Sequence, residues 1–267
     1  MSSLSDVLAK TRAEGRAALV GYLPAGYPSV DGSIAALVAM VEGGCDVIEV
    51  GLPYSDPSMD GPTIQAAVEV ALRQGTTPND LFRVVEAVAA TGAPTLVMTY
   101  WNPIERRGVD RFTTDLKAAG GVGAILPDIV PEEAGDWIAA AGSADLDSVF
   151  LVAPSSTAAR IASTVGACRG FVYATSLMGV TGTRAAVDTA GAVIVGRVRA
   201  ATDLPVCVGL GVSNGAQAAE VAAYADGVIV GSAFVRALLD APDEAAGVAA
   251  VRRLAEDLAA GVRAGRT

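Results

Sequence analysis

Short apolar runs recur along the chain at intervals of roughly 33 residues, and longer alanine-rich segments separate them. The runs are nearly continuous rather than alternating, which is typical of parallel strands that are covered on both faces. Eight strands are predicted, at residues 17–23, 46–51, 95–100, 123–128, 148–153, 170–175, 205–210 and 227–232.

The segments between these runs carry apolar residues at helical spacing, as over 34–41 and 81–88. The polar opening, residues 1–16, predicts a short amphipathic helix and lacks the apolar stretch of a signal peptide. Capping residues predict further helix starts at Asn79 or Asp80, at Pro131, and at Ser213 or Asn214.

This alternation predicts an α/β fold, a single (β/α)8 TIM barrel over residues 1–267 with an N-terminal extra helix. A doubly wound open sheet is the alternative, but it usually has fewer strands and a glycine-rich turn after the first one, which this sequence lacks. The connection 52–76 is predicted as an unusually long loop. Such loops follow the strands of this fold and concentrate its function.

Composition narrows the possible functions. The 267 residues carry a net charge of −10 and include no histidine. Nucleic acids and anionic membranes would repel such a chain. The three cysteines, Cys45, Cys168 and Cys207, are dispersed and predict small buried side chains rather than a metal site. No apolar run reaches membrane-spanning length, so a soluble intracellular protein is expected.

Glu49 interrupts a predicted strand that is otherwise apolar. A carboxyl group desolvated there would have a raised pKa, as a general acid or base requires. A strand glutamate that pairs with a neighbouring cation is an equal alternative. Asp60 follows within SDPSMDGPTIQ, where Asp-Gly-Pro alone would indicate a turn. Two carboxylates from one strand end and its loop favour an acid/base pair.

Glycine-rich segments follow the last three predicted strands, at residues 179–184, 209–214 and 230–234. Glycines let backbone N–H groups approach an anion, and the helix starts that follow add their positive dipole ends. Agreement among three neighbouring loops predicts a phosphate site.

Three tyrosines, Tyr22, Tyr100 and Tyr173, lie near predicted strand ends. They could line a pocket for a flat apolar ligand, or they could simply fill the mouth of the barrel.

The segment IEVGLPYSDPSMDGPTIQ at 48–65 resembles the most specific segment of tryptophan synthase alpha subunits, and it contains both carboxylates at that family's spacing. The resemblance covers nearly the whole chain in the same order. Its further segments are VGYLPAGYPS at 20–29, MTYWNPI at 98–104, ILPDIVPEE at 125–133, YATSLMGVTGTR at 173–184, VGLGVSN at 208–214 and VIVGSA at 228–233.

The resemblance implies a lyase that cleaves indole-3-glycerol phosphate into indole and glyceraldehyde 3-phosphate. Glu49 would protonate indole C3 and take the proton of the glycerol hydroxyl, and Asp60 would accept from the indole N–H. Tyr173 matches the family's active-site tyrosine. Thr181 matches the threonine of a mobile loop that folds over Asp60.

The same resemblance implies which residues bind the phosphate and which line the indole pocket. The phosphate would be held by Gly182, Gly211, Gly231 and Ser232. The indole pocket would be lined by Tyr22, Tyr100, Ile125, Pro127, Leu151 and Leu210.

The family works in the cytoplasm as an α2β2 complex, whose beta subunit holds pyridoxal phosphate and receives indole. The segments 53–60 and near Asn102 would face that partner. No cofactor is expected in this chain, because Lys10 and Lys117 both lie on predicted helices rather than at strand ends.

Three alternative functions are also compatible with parts of the sequence. A sugar-phosphate isomerase or epimerase would share the phosphate loops but not the pair Glu49 and Asp60. A binding module that only regulates a beta subunit would not need both carboxylates. A free-standing lyase that releases indole differs only in its surface.

Overall fold

The structure, a computed structural model, describes residues 3–175 and 184–265. All eight predicted strands are present, each within two residues of its predicted start and end. They are β1 Ala18–Pro24, β2 Val47–Gly51, β3 Thr95–Met98, β4 Gly123–Leu126, β5 Asp147–Val152, β6 Val172–Thr175, β7 Val206–Gly209 and β8 Gly227–Val230.

Helices alternate with the strands, and two helices rather than one follow each of β2, β3 and β8. They are α1 Leu4–Ala13, α2 Val30–Glu42, α3 Pro62–Arg73, α4 Pro78–Ala89, α5 Trp101–Arg107, α6 Val109–Ala118, α7 Gly135–Ser143, α8 Ala158–Ala167, α9 Arg184–Arg199, α10 Gly215–Ala222, α11 Ser232–Leu239 and α12 Glu244–Ala264.

The strands form a closed barrel in sequence order, and every neighbouring pair is parallel, including β8 against β1. The TIM-barrel prediction is therefore confirmed, with α1 as the predicted extra helix, and the open-sheet alternative is wrong. Over the described ranges, no helix combines the length and the apolar character that crossing a bilayer would need.

Three boundaries differ from prediction. Residues 52–76 are not all loop, since α3 occupies Pro62–Arg73 with its proline in the first turn. Helix α4 begins at Pro78 behind the cap Thr77, so Asp80 is the third residue of a capping box rather than the cap. Helix α7 begins at Gly135, after a turn that contains Pro131.

Each strand presents alternate residues to two layers, because side chains of a strand point to opposite faces in turn. One set faces the helices, as Leu19, Ile48 and Val97 do. The other fills the barrel, as Val20 and Val47 do. Both layers are apolar, which explains the continuous apolar runs.

Helix α1 lies across the N-terminal ends of the strands, here called the bottom of the barrel. Leu4 and Leu8 are almost fully buried and pack into the interior cluster with Phe171. A capping box between Ser3 and Asp6 holds the start of the helix. The barrel is thus closed at the bottom, and ligand access falls to the opposite, C-terminal end.

Two paired carboxylates lie at the bottom. Asp46 accepts 2.7 and 2.8 Å bonds from both terminal nitrogens of Arg16, and the Leu19 N–H also donates to it. Asp226, 6% exposed, lies 3.1 Å from the Arg199 guanidinium and accepts from the Val206 N–H. Such pairing compensates for the desolvation of a buried charge.

Candidate active site

Glu49 lies in the middle of β2 with its side chain directed into the barrel. It follows the interior residue Val47 by two positions, so both project to the same face. The residue is 0% exposed, and neither carboxyl oxygen has a hydrogen-bond partner among the described residues. The alternative, in which Glu49 pairs with a neighbouring cation, is therefore not supported, because no described residue pairs with this carboxyl group.

Burial without a partner raises the pKa of Glu49 from 4.5 to about 8. The charged form loses its hydration and gains no compensating contact, so the neutral acid is favoured. Near neutral pH this carboxyl group therefore holds a proton that it can donate, and it can take one back as a base.

Asp60 lies in the segment between β2 and α3, two residues before the helix begins. Its Oδ1 accepts a hydrogen bond of 3.2 Å from the Tyr100 hydroxyl, and that hydroxyl accepts one of 3.0 Å from the Met59 N–H. Burial raises the pKa of Asp60, and the bond from Tyr100 opposes that rise. Asp60 is half-buried, whereas Glu49 is completely enclosed.

Tyr22 lies on β1, beside Glu49 of β2. Its Cα pairs with that of Glu49 across the β1–β2 register. Burial raises the pKa of Tyr22, and negative charges on Asp60, Tyr100, Glu49 and Tyr173 raise it further. All four groups are therefore near enough to one phenol to act on it, so they face the same space at the C-terminal mouth of the barrel.

The opposite wall carries Tyr173, Leu151 and Ile125, all of which belong to the interior cluster. Tyr173 lies on β6 beside Leu151 of β5 in the strand register. Burial raises the pKa of Tyr173, and Glu49 raises it further, so this phenol also lies near the buried acid. Pro127 follows β4, two positions beyond Ile125, and is half-buried.

Three glycines give the tyrosine rings room, a role that sequence reasoning missed. A Cβ at Gly209 would lie 2.6 Å from the Tyr173 hydroxyl oxygen, and one at Gly51 would collide with the ring of Tyr22. Gly231 also faces Tyr22, with 3.1 Å between a Cβ and the ring. Glycines at the C-terminal ends of strands are the sequence signal for such close approach.

The predicted phosphate residues lie beside this mouth. Gly211 has a φ of +68°, which favours glycine, and is exposed after β7. Gly231 and Ser232 begin α11, which has no side-chain cap. Gly211 and Ser232 line one cleft of about 430 Å³. An uncapped helix N-terminus beside a glycine loop can accept an anion.

Three other predicted residues do not join this group. Leu210 lies past the end of β7 but packs in the outer layer, where its methyl group lies 3.2 Å from the Cβ position of Gly191. Thr181 and Gly182 lie outside the described residues.

Two contacts between loops at the mouth could not be read from sequence. Asp128, after β4, accepts a hydrogen bond of 2.9 Å from the Trp101 N–H at the start of α5. Arg236 of α11 donates one of 2.8 Å to the Thr63 hydroxyl in the first turn of α3. Together with the Tyr100–Asp60 bond, they join the loops after β2, β3, β4 and β8.

A profile of the family described as "Tryptophan synthase alpha chain" matches residues 8–263. The tryptophan synthase alpha chain of Thermobifida fusca is 62% identical over 267 residues, which cover 99% of each chain. A structure of Mycobacterium tuberculosis tryptophan synthase matches at 56% identity and a TM-score of 0.91, covering 98% of this chain and 99% of that one. The alpha subunit of Legionella pneumophila matches at 32% identity and a TM-score of 0.89, covering 98% of each chain.

Proposed function

This chain belongs to the tryptophan synthase alpha chain family, and from that membership we propose that Glu49 and Asp60 divide the acid and base chemistry of its reaction. The protein is a lyase that cleaves indole-3-glycerol phosphate into indole and glyceraldehyde 3-phosphate in tryptophan biosynthesis. The single observation that supports this division is the complete burial of Glu49 without a hydrogen-bond partner among the described residues.

In the first step the neutral Glu49 carboxyl donates its proton to indole C3, while the indole N–H is held by the Asp60 carboxylate. The ring nitrogen becomes an electron acceptor. The Glu49 carboxylate then removes the proton of the hydroxyl on the adjacent glycerol carbon. The carbon–carbon bond breaks, its electron pair restores the indole, and the oxygen becomes the aldehyde of glyceraldehyde 3-phosphate. Glu49 ends protonated, as it began.

Asp60 is suited to hold the indole nitrogen because it is less enclosed and because Tyr100 donates to its Oδ1. That bond favours the ionised form, which accepts from an N–H or N⁺–H. The two carboxyl groups thus take different protonation states from different surroundings, as an acid/base pair requires.

Substrate binding follows from the same mouth. We assign the flat indole to the walls formed by Tyr22, Tyr100, Ile125, Leu151 and Tyr173. The phosphate is assigned to Gly211, Gly231 and Ser232, where backbone N–H groups and the serine hydroxyl can donate. Gly182, Thr181 and Leu210 stay proposed from the family resemblance alone.

We propose that the mouth docks a tryptophan synthase beta subunit. Met59 is 52% exposed and Val130 is 38% exposed, both on loops of the mouth and both large apolar side chains. Exposed apolar groups of this kind favour a protein partner. The α2β2 stoichiometry is proposed from the resemblance, and the mass of the reconstituted complex tests it.

Pyridoxal phosphate is assigned to that partner and no cofactor to this chain. The sequence contains two lysines. Lys10 lies on α1 near Glu14, and Lys117 on α6 donates to the Asp145 carbonyl, so both are far from the barrel interior. A cytoplasmic location is proposed on the ground of three free cysteines and a biosynthetic family, and cell fractionation tests it.

The test of the site is indole release from indole-3-glycerol phosphate by the purified chain, with and without a beta subunit. Glu49→Gln should lower turnover at least ~10²-fold, because the amide keeps the shape but cannot transfer the proton. Asp60→Asn should also lower turnover while the chain stays folded. If Glu49→Gln cleaves at the wild-type rate, the assignment of the acid is wrong.

A further inference from the structure

Arg236 connects two parts of the mouth that are distant in sequence. It lies on α11, one helical turn after Ser232, where the phosphate is proposed to bind. Its Nη2 donates a hydrogen bond of 2.8 Å to the hydroxyl of Thr63 in the first turn of α3. Thr63 follows Asp60 by three residues, so the contact joins the proposed phosphate helix to the segment of a proposed catalytic carboxylate.

The orientation of the Arg236 guanidinium is not explained by an ion pair with any described residue. Within the described ranges, no carboxylate lies within salt-bridge distance of Arg236. It lines the same cleft as Gly211 and Ser232 and is the cation among the lining residues described there. Arg236 is exposed, and the hydrogen bond to Thr63 is the side-chain contact that orients its guanidinium among the described residues.

The contact between Arg236 and Thr63 stabilises the segment around Asp60, where α3 begins. Helix α3 begins at Pro62, and its N-cap residue Gly61 has no side chain that could cap it. The Asp60 carboxylate is held from one side by Tyr100, and its backbone carbonyl accepts from Gln65. Helix α3 packs against the core through its buried face and against α11, and Arg236 reinforces the contact with α11 near the start of α3.

We propose that Arg236 is a positioning residue for the cleavage reaction, which holds α3 against α11 through Thr63 and so sets the place of Asp60 relative to the bound phosphate. The inference rests on the proposed function. The substrate is proposed to bind Ser232 through its phosphate and Asp60 through its indole N–H. Both contacts form at once only if Ser232 and Asp60 keep a fixed separation. A small displacement of a reacting group is costly to turnover.

The experiment compares Thr63→Val, Arg236→Gln and the double variant in the full-length chain, assayed with a saturating beta subunit. Each single change should lower kcat for indole release roughly three- to tenfold, a loss comparable with the net free energy of one ordinary hydrogen bond. Because both remove the same contact, the double variant should be no slower than the slower single variant. Thr63→Ser retains the hydroxyl and should restore the wild-type kcat.

A positioning role also predicts which parameter stays constant. Inorganic phosphate, used as a competitive inhibitor, should bind Thr63→Val within about twofold of the wild type, since the anion site itself is intact. A kcat for Thr63→Val that equals the wild type, or multiplicative losses in the double variant, would overturn the proposal. Thr63→Ala gives a second test if the valine variant has a lowered melting temperature.

The arms of this test separate two kinds of failure. If Glu49→Gln retains cleavage, the proposed function of the site fails. If Glu49→Gln is inactive but Thr63→Val and Thr63→Ser do not differ, only the role of Arg236 fails.

Discussion

The two ends of the barrel treat buried carboxyl groups in opposite ways. At the bottom, Asp46 is held by both terminal nitrogens of Arg16, and Asp226 lies beside Arg199. At the mouth, Glu49 is more deeply buried than either but has no hydrogen-bond partner among the described residues. The charges at the bottom hold elements together, whereas burial at the mouth keeps Glu49 in its neutral form near neutral pH, where a reaction can use its proton.

The largest expected effect concerns the pH dependence of stability. Unfolded Glu49 ionises near 4.5, while the folded residue keeps its proton up to about 8. Unfolding therefore releases a proton between these values, and the free energy of unfolding falls as the pH rises through this window, by an amount on the order of 5 kcal/mol.

Glu49→Gln should abolish this contribution, because the amide does not ionise. Urea unfolding of both proteins at pH 5 and pH 8 measures it: the variant should gain several kcal/mol relative to the wild type between the two values. Stability curves that stay parallel would show that Glu49 is not held in its neutral form.

At the bottom the expected effect is on stability alone. Asp46→Ala leaves the partly buried Arg16 guanidinium without its bidentate partner and should lower the free energy of unfolding by about 2 kcal/mol. Turnover per folded molecule should be unchanged. The matched control is Asp31→Ala, which removes an exposed pair with Arg83 and should cost less than about 1 kcal/mol. A loss of turnover in Asp46→Ala would contradict the separation of the two ends.

The smallest expected effect is on the pH profile of turnover, in which the two carboxyl groups at the mouth should titrate separately. The pH profile of kcat/KM should fall above about 8, where Glu49 loses its proton, and also on the acid side, where Asp60 gains one. Tyr100→Phe removes the hydrogen bond that lowers the pKa of Asp60, so the acid limb should move to higher pH.

On that acid limb, the loss in Tyr100→Phe should be roughly three- to tenfold, and the limb near 8 should stay in place. Tyr27→Phe, a change at a buried tyrosine of the outer layer, serves as the control and should shift neither limb. Movement of both limbs together would mean that Tyr100 acts on the whole pocket rather than on Asp60.

The sequence predicts the barrel well because its strands are buried on both faces and are therefore continuously apolar. It is less informative in the connection after β2, which was predicted as loop although α3 occupies part of it. Pro62 and Gly75 fall within the predicted loop 52–76, but in the structure they mark the start and the end of that helix.

The sequence likewise predicts some features of the site but not others. The presence of Glu49 in an apolar strand is visible in the sequence, and so is its spacing from Asp60. The bond from Tyr100 to Asp60, 40 residues apart, and the one from Arg236 to Thr63, 173 residues apart, depend on barrel closure. Gly51 could have indicated a close approach, but the ring that approaches it is set by the strand register.

Helix α1 leaves the described part of the barrel open at its C-terminal end and closed at the bottom. Since Leu4 and Leu8 plug the bottom, a substrate that enters at the mouth has to share that opening with both departing products. A molecule bound over the mouth therefore controls both the entry of substrate and the release of products. With a partner seated there, the small apolar product leaves toward that partner, because the described residues close the opposite end of the barrel.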